Sequence, residues 1–334
     1  MSGALIQLAA KGAQDVYLTN EGGMSLFSIK YNRHTNFAQI PKYLGEIDNT
    51  TCSVVLPKFG DIVNGIWFEG TNLYSAFEDA TIDFYLGGNF VDSHPIDFLT
   101  DIWPTYMCDS VSSRNSVNSK CIPLRYFFCM KNLFFPLAAL QYHQIEVRVS
   151  FKKQDVKKIK TYANYIFLDG QERKRFTSQK LDFVITQTQK IEKDIQVGLV
   201  DIDLSEFKHP VKSLIFGPSI AFDTCDIQMN GTTVIEDMSP QYFHTVQNYL
   251  RSTHGCSDFS VKTNTPKNTK YYAYHFCLNA SKYEPTGTCN FSKINKANLI
   301  LRNVRTESKK CIVYAINYNI LRIENGMAGI LFGK

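Results

Sequence analysis

Short stretches of strictly alternating apolar and polar residues, repeated along the chain, narrow the fold more than any other feature. In Thr81 to Leu86, Ile82, Phe84 and Leu86 are set to face a core while Thr81, Asp83 and Tyr85 face outward. In Ile145 to Phe151 the inward set is Ile145, Val147, Val149 and Phe151, with Glu146, Arg148 and Ser150 opposite. Cys225, Ile227 and Met229 alternate with Asp226 and Gln228, then run into Asn230-Gly231 and the β-prone Thr232 to Ile235. Asn-Gly supplies the two positive-φ positions of a type I′ turn, so this stretch is expected to be a β-hairpin and its strands antiparallel.

Further strands are expected at Ser53 to Leu56, Asp61 to Phe68, Tyr162 to Leu168, Leu181 to Thr186, Val197 to Leu204, Val211 to Phe216, Tyr271 to Leu278, Ala297 to Leu301 and Cys311 to Ile323. Many short strands parted by Gly, Pro and Asn, with few helices between, argue for sandwiches or jelly rolls and against a parallel α/β fold. The aromatic share points the same way, with 24 Phe and 18 Tyr among 334 residues, because such side chains suit a half-buried pleated surface. Two short helices are expected. One has Ser239 as cap, Pro240 at its first position and Tyr242, Val246, Tyr249 and Leu250 at helical spacing before Gly255. The other starts at Asp169 with Glu172 three residues on, and covers about Gly170 to Gln179.

The length exceeds what one core usually holds, so two domains are expected. The polar run Gln187-Thr188-Gln189-Lys190 reads as the boundary, dividing the chain into an arm over residues 1–24, a first β-domain over 25–188 and a second over 189–334. A net charge of +5 does not demand nucleic acid, and Lys152, Lys153, Lys157, Lys158 and Lys160 read as a solvated loop. No run approaches the roughly 18 apolar residues that cross a bilayer, and Met1 to Ala10 lacks a basic leader region, so a soluble, unsecreted protein is expected.

A chemical site leaves little room in this sequence. GxSxG, HExxH, GxxxxGK[ST] and GxGxxG are all absent. Gly22-Gly23 and Gly87-Gly88 read as turns. Nine cysteines, Cys52, Cys108, Cys121, Cys129, Cys225, Cys256, Cys277, Cys289 and Cys311, contain no CxxC pair and read as reduced thiols. His34, His94, His143 and His275 read as hydrogen-bonded structural histidines; Asp92, His94 and Asp97 imitate part of a triad without a nucleophile. No catalytic, cofactor-binding or metal-binding residue is expected. Four N-glycosylation sequons, at Asn49, Asn230, Asn279 and Asn290, are near the chance number.

Longer stretches carry a resemblance. Gly3 to Thr19 (GALIQLAAKGAQDVYLT), Tyr31 to Phe37 (YNRHTNF), Asp92 to Pro95 (DSHP), Asp101 to Trp103 (DIW) and Pro136 to His143 (PLAALQYH) are similar to ordered segments of one family. So are Phe167 to Phe176 (FLDGQERKRF), Pro285 to Ser292 (PTGTCNFS) and Ala315 to Arg322 (AINYNILR). The chain resembles the major capsid proteins of nucleocytoplasmic large DNA viruses, the iridovirus, phycodnavirus and mimivirus group. The resemblance implies an all-β fold of two consecutive eight-stranded antiparallel jelly rolls with short loop helices. It implies a homotrimeric, pseudo-hexameric capsomer that tiles an icosahedral shell, with minor capsid proteins and the internal viral membrane, reached by the amino-terminal arm, as partners. A virion location after assembly in the host cytoplasm follows, with neither enzymatic activity nor a nucleic-acid contact. A minor paralogue or a transient membrane-shaping scaffold of the same fold stays open. The chain is short for the family, so its outer loops are expected to be trimmed around Asp109 to Lys120 and Ser252 to Lys270.

Two other classes compete. A jelly roll also serves lectins and cupins, but a cupin metal site needs histidines clustered on adjacent strands, which the sequence does not offer. An enzyme acting on nucleic acid or sugar would need a carboxylate pair or metal cluster drawn from distant residues.

Overall fold

Alternation becomes strand at nearly every expected place. The computed structural model describes residues 34–103, 120–130, 132–218, 220–252, 271–306 and 309–333. The expected arm, Gly22-Gly23, Cys108, Cys256 and most of both trimmed loops lie outside the described residues.

Nine strands precede the helix Gly170–Ser178: β1 (Phe37–Ile47), β2 (Ser53–Leu56), β3 (Ile62–Glu69), β4 (Thr81–Leu86), β5 (Asn89–Pro95), β6 (Cys121–Pro123), β7 (Phe135–Pro136), β8 (Ile145–Ser150) and β9 (Ile159–Leu168). Ten follow it: β10 (Leu181–Ile195), β11 (Gly198–Asp203), β12 (Pro210–Gly217), β13 (Thr224–Met229), β14 (Thr232–Met238), β15 (Tyr272–His275), β16 (Cys289–Asn290), β17 (Ala297–Val304), β18 (Lys309–Glu324) and β19 (Met327–Ile330).

Four antiparallel sheets result, and they repeat one plan twice. The first pair has orders β1-β9-β3-β6 and β2-β8-β4-β5, and the second has β10-β18-β12-β15 and β11-β17-β13-β14. β7 shares β3 with β6 just as β16 shares β12 with β15, so with those halves joined the first pair holds eight strands and the second holds eight besides β19, which pairs with β18. Two such sheets with this crossing connectivity make a jelly roll, and the chain is a double jelly roll.

The repeat extends to single residues. In β4–β5 the partners are Leu86↔Asn89, Tyr85↔Phe90 and Phe84↔Asp92, with Val91 bulged out. In β13–β14 they are Met229↔Thr232, Gln228↔Thr233 and Ile227↔Ile235, with Val234 in the place of Val91. A second bulge recurs where β3 slips by one residue at Asn64, between Val63↔Tyr165 and Gly65↔Asn164, and β12 slips at Lys212, between Val211↔Asn317 and Ser213↔Ile316. Asn230 and Gly231 take φ of 48° and 79°, the conformation that the Asn-Gly turn requires.

Each roll buries its inward stripe. The first core gathers Ile66, Phe68, Ile82, Phe84, Leu86, Val147 and Val149; the second gathers Ile202, Leu214, Phe216, Ile227, Leu299, Leu301 and Val313. The sheet holding β10 is covered on both sides. Its strands place Val313 and Ala315 in the second core and Tyr314 and Ile316 against the first roll, which is why β18 reads as a near-continuous apolar run.

Three expectations change. Gln187 to Lys190 is no linker, because it lies inside β10 and pairs along its whole length with β18 from Asn317 to Tyr314. The expected division at 188/189 thus falls within a strand. Asp226, placed outward by alternation, is buried, because the Arg302 guanidinium pairs with its carboxylate and the Asp237 amide donates to it at 2.8 Å. Helical backbone does open at Pro240, passing through a π-turn at Tyr242–Val246 into the helix Gln247–Arg251. Its buried face is Phe243, Gln247 and Asn248, whereas Val246, Tyr249 and Leu250 point to solvent. The Gly170–Ser178 helix is capped as expected, Asp169 accepting from the Gly170 amide at 2.7 Å.

Candidate assembly surfaces

Residues that hinted at chemistry turn out to hold structure. Asp92 Oδ2 lies 2.9 Å from His94 Nε2, both buried, and the imidazole stacks between Phe98 and Tyr126 at 5.0 and 4.9 Å. Asp92 Oδ1 accepts from the Ser93 and Thr188 amides at 2.9 and 2.8 Å. Asp97 lies elsewhere, 3.4 Å from the Tyr74 hydroxyl. His143 Nδ1 sits 2.9 Å from the Ala328 carbonyl oxygen and 3.1 Å from its amide nitrogen. His34 is exposed, its Nδ1 2.9 Å from the Thr35 carbonyl oxygen. Burial, with Lys212 and Arg251 nearby, pushes His275 down to about 3, so the ring beside Ser213 Oγ (2.8 Å) is neutral at ordinary pH. Burial likewise pushes Lys212 down to about 8, and its ammonium donates to the Lys282 carbonyl. Cys129 and Cys311 are pushed up to about 12 by burial, which keeps them as inert thiols. Among the described residues Cys52, Cys121, Cys129, Cys225, Cys277, Cys289 and Cys311 are free, and no group of three or more His, Cys, Asp or Glu is placed to hold a metal ion. No described helix is long and apolar enough to cross a membrane.

The sequons occupy turns. Asn49 donates to the Lys153 carbonyl and accepts from the Val156 amide, both at 2.7 Å, which pins one loop to another. Asn230 Oδ1 accepts from Asn295 and Lys296, Asn279 Oδ1 from Ser281 and Lys282, and Asn290 Oδ1 from Ser292. Within the basic segment, Lys153 reaches Ser75 Oγ at 2.7 Å and Lys158 lies 3.3 Å from Glu46.

What the geometry does build is a joint between the rolls. β5 and β10 are both edge strands of their sheets, and they meet without a backbone ladder. The Gln187 amide donates to the Val91 carbonyl at 2.5 Å, and the Thr188 N–H donates to Asp92. Behind them Tyr314 packs on Phe98 at 5.7 Å, Phe98 opening the π-turn Phe98–Ile102 that follows β5. At the far end Gly326 O accepts from the Gln141 and Tyr142 amides at 2.8 and 3.1 Å. The joint uses the β5 edge of the first roll with the β10 edge and the outer sheet face beside it on the second.

Among the described residues two matching edges are left over, β1 and β14. From Phe37 to Pro41 every residue of β1 is exposed, and in β14 only Ile235 is buried. The outer face of the β1 sheet carries an aromatic row, Tyr43 to Tyr162 at 5.5 Å and Tyr162 stacked on Trp67 at 5.6 Å. Sequence reasoning missed β1, because Pro41 and Gly45 suppress the strand signal. A proline inside an otherwise strand-like run was the available clue, since proline in sheets is confined to edges and bulges.

Comparison with known proteins follows this architecture. The model of the large eukaryotic DNA virus major capsid protein matches residues 220–329, and that of the major capsid protein N-terminus matches residues 105–169. The major capsid protein of Pyramimonas orientalis virus is 28% identical and that of Paramecium bursaria Chlorella virus 1 is 27% identical, each over the whole of both chains. In the quasi-atomic model of the PBCV-1 virus capsid, a chain at 23% identity superposes with a TM-score of 0.79, covering 93% of this chain and 100% of that one. The Faustovirus major capsid protein superposes at 0.70 with 10% identity, covering 96% of each. With its two rolls and with matches along its length, the chain belongs to the major capsid proteins of large eukaryotic DNA viruses, a family of structural proteins and not of enzymes.

Proposed function

We propose that the protein is a shell subunit that closes into a homotrimer of six rolls, the capsomer of an icosahedral capsid. The observation that carries this reading is the repeated plan. One roll-to-roll joint is made within the chain, and the same two kinds of edge remain free on opposite rolls, so a further contact is head-to-tail and a ring is the way such contacts close. The mass of the purified protein in native solution tests it. A species of three times 38.1 kDa is expected, and a strictly monomeric species at every salt concentration would remove the reading.

We divide the chain for this purpose into an arm over 1–24 and two rolls that part at the helix Gly170–Ser178, between β9 and β10. The arm is taken to lie under the shell, toward minor capsid proteins and the internal membrane, with assembly in the host cytoplasm. Deleting residues 1–19 should then lower shell yield while leaving the trimer intact; unchanged yield would count against a docked arm. Glycosylation at Asn49 would compete with the bond from its amide nitrogen to Lys153, so Asn290, whose described bond uses only its oxygen, is a better acceptor than Asn49. Loss of a glycan mass in Asn290→Gln checks this.

A further inference from the structure

We propose that the free edge of β1 in one copy seats against the free edge of β14 in a second copy, with Ile40 and Pro41 meeting Val234 and Ile235. The inference rests on the shell-subunit reading and names the surfaces it uses.

Register assigns the counterparts. Tyr165 and Asn317 occupy the same place before the β3 and β12 bulges, and their edge partners are Ile40 and Gln187. One step on, Asn164 and Ile316 pair with Pro41 and Thr188. On the other roll Val234 and Ile235 stand where Val91 and Asp92 stand.

Within the chain these positions form two hydrogen bonds, Gln187 to the Val91 carbonyl and the Thr188 N–H to Asp92. At the free edges the donors and the side-chain acceptor vanish together. Ile40 replaces the amide that donates, Pro41 has no N–H, and Ile235 replaces the carboxylate that would receive it. A polar joint has become an apolar one on both of its sides at once, which is what two surfaces that meet require and two solvated edges do not. Ile40 and Val234 are 44% and 48% exposed.

Charge and the flanking turn agree. Lys42 follows Pro41, and Glu236 follows Ile235, giving opposite signs beside the apolar pair. The π-turn Phe98–Ile102 recurs as Tyr242–Val246; Ile102 is fully buried, whereas Val246, at the same place, is 40% exposed. The aromatic row Tyr43–Tyr162–Trp67 occupies the face that corresponds to the one carrying Tyr314, which packs on the first π-turn.

The test is oxidative cross-linking of the full chain carrying Ile40→Cys with Val234→Cys, beside the unmodified chain and each single variant. Covalent dimer and trimer bands confined to the double variant support the joint. A trimer by mass that does not cross-link, or equal cross-linking by Ile40→Cys alone, overturns it and leaves the shell-subunit reading standing; a monomer in every chain overturns both. Independently, Ile40→Asp should raise the concentration needed for trimer by at least about tenfold, the weight of one 1.4 kcal/mol contact. Adding Val234→Lys should restore it, and Val55→Asp, at an exposed position off the joint, should leave it unchanged. No rescue with unaltered melting temperature would contradict the pairing.

Discussion

The outer face of the β1 sheet and the outer face of the β10 sheet share one strand order but live in different surroundings. β9 alternates buried with partly or fully exposed residues from Ile159 to Tyr165, whereas its counterpart β18 is dry on both sides through its middle, from Val313 to Asn319. The difference follows from what each sheet meets. A sheet with one wet face needs alternation, and a sheet pressed between two cores can be apolar throughout. Sequence pattern therefore reports the neighbourhood of a roll as much as its fold. The interiors diverge as well: the first core is crowded with rings, Phe84 lying 4.9 Å from Tyr126 and 5.5 Å from Phe128, and the matching position of the second roll is the aliphatic Ile227.

The largest expected effect separates the two cores. Phe84→Ala should cost about 3–5 kcal/mol and Ile227→Ala about 2–4, the ring leaving the larger cavity, as read by denaturant unfolding of each variant. Equal losses would show that the aromatic cluster adds nothing beyond volume.

Next comes the joint. Asp92→Ala strands the buried His94 ring and the Thr188 N–H, and should cost about 3 kcal/mol. Ile235→Val, at the matching place, should cost about 1. Hydrogen exchange at the Thr188 amide checks the mechanism directly, since protection there should fall only in the Asp92 variant.

Turns sharpen the comparison further. A Cβ on Gly326 (φ +75°) would stand 2.5 Å from Gln141 Cβ, while one on Gly231 (φ +79°) meets nothing within 4 Å. Both substitutions bear the left-handed cost of about 1–2 kcal/mol, and Gly326→Ala adds about 1–3 more from the clash across the joint. Thermal melting of the two variants should differ in that order.

The smallest effect is a pH dependence in the second roll. His275 is depressed to about 3 in the fold against 6.5 when exposed, so between those values the unfolded chain holds the extra proton. Stability contributed by the neutral ring is complete above pH 6.5 and below it falls with a slope approaching about 1.4 kcal/mol per pH unit. His275→Gln should flatten that slope between pH 6.5 and 5; an unchanged slope would place the acid sensitivity elsewhere.

How much of this was legible beforehand depends on where each signal lives. Strands such as β4 and β8 were readable because one face is wet and the other dry, and the Asn230-Gly231 hairpin because its turn needs residues that tolerate positive φ. β1 was hidden by Pro41 and Gly45, and Gln187 to Lys190 looked like a linker because its amides serve contacts invisible in one dimension, Gln187 across the joint and Gln189 with Asn317 inside the second roll. Val246, Tyr249 and Leu250 stand at helical spacing as read, yet Tyr249 is 77% exposed while Gln247 and Asn248 are inside. Periodicity cannot distinguish a face that meets its own core from one free to meet another molecule. The repeat itself was unreadable because it is written in bulges and strand order, and the paired positions Ile40/Gln187 and Ile235/Asp92 share no chemistry.

Cryo-electron microscopy of the purified oligomer tests the central claim most directly. The account predicts three copies in a closed ring of six rolls, β1 of each copy lying along β14 of the next. A two-fold dimer with β1 against β1, or a ring whose β1 and β14 edges both face solvent, would contradict it.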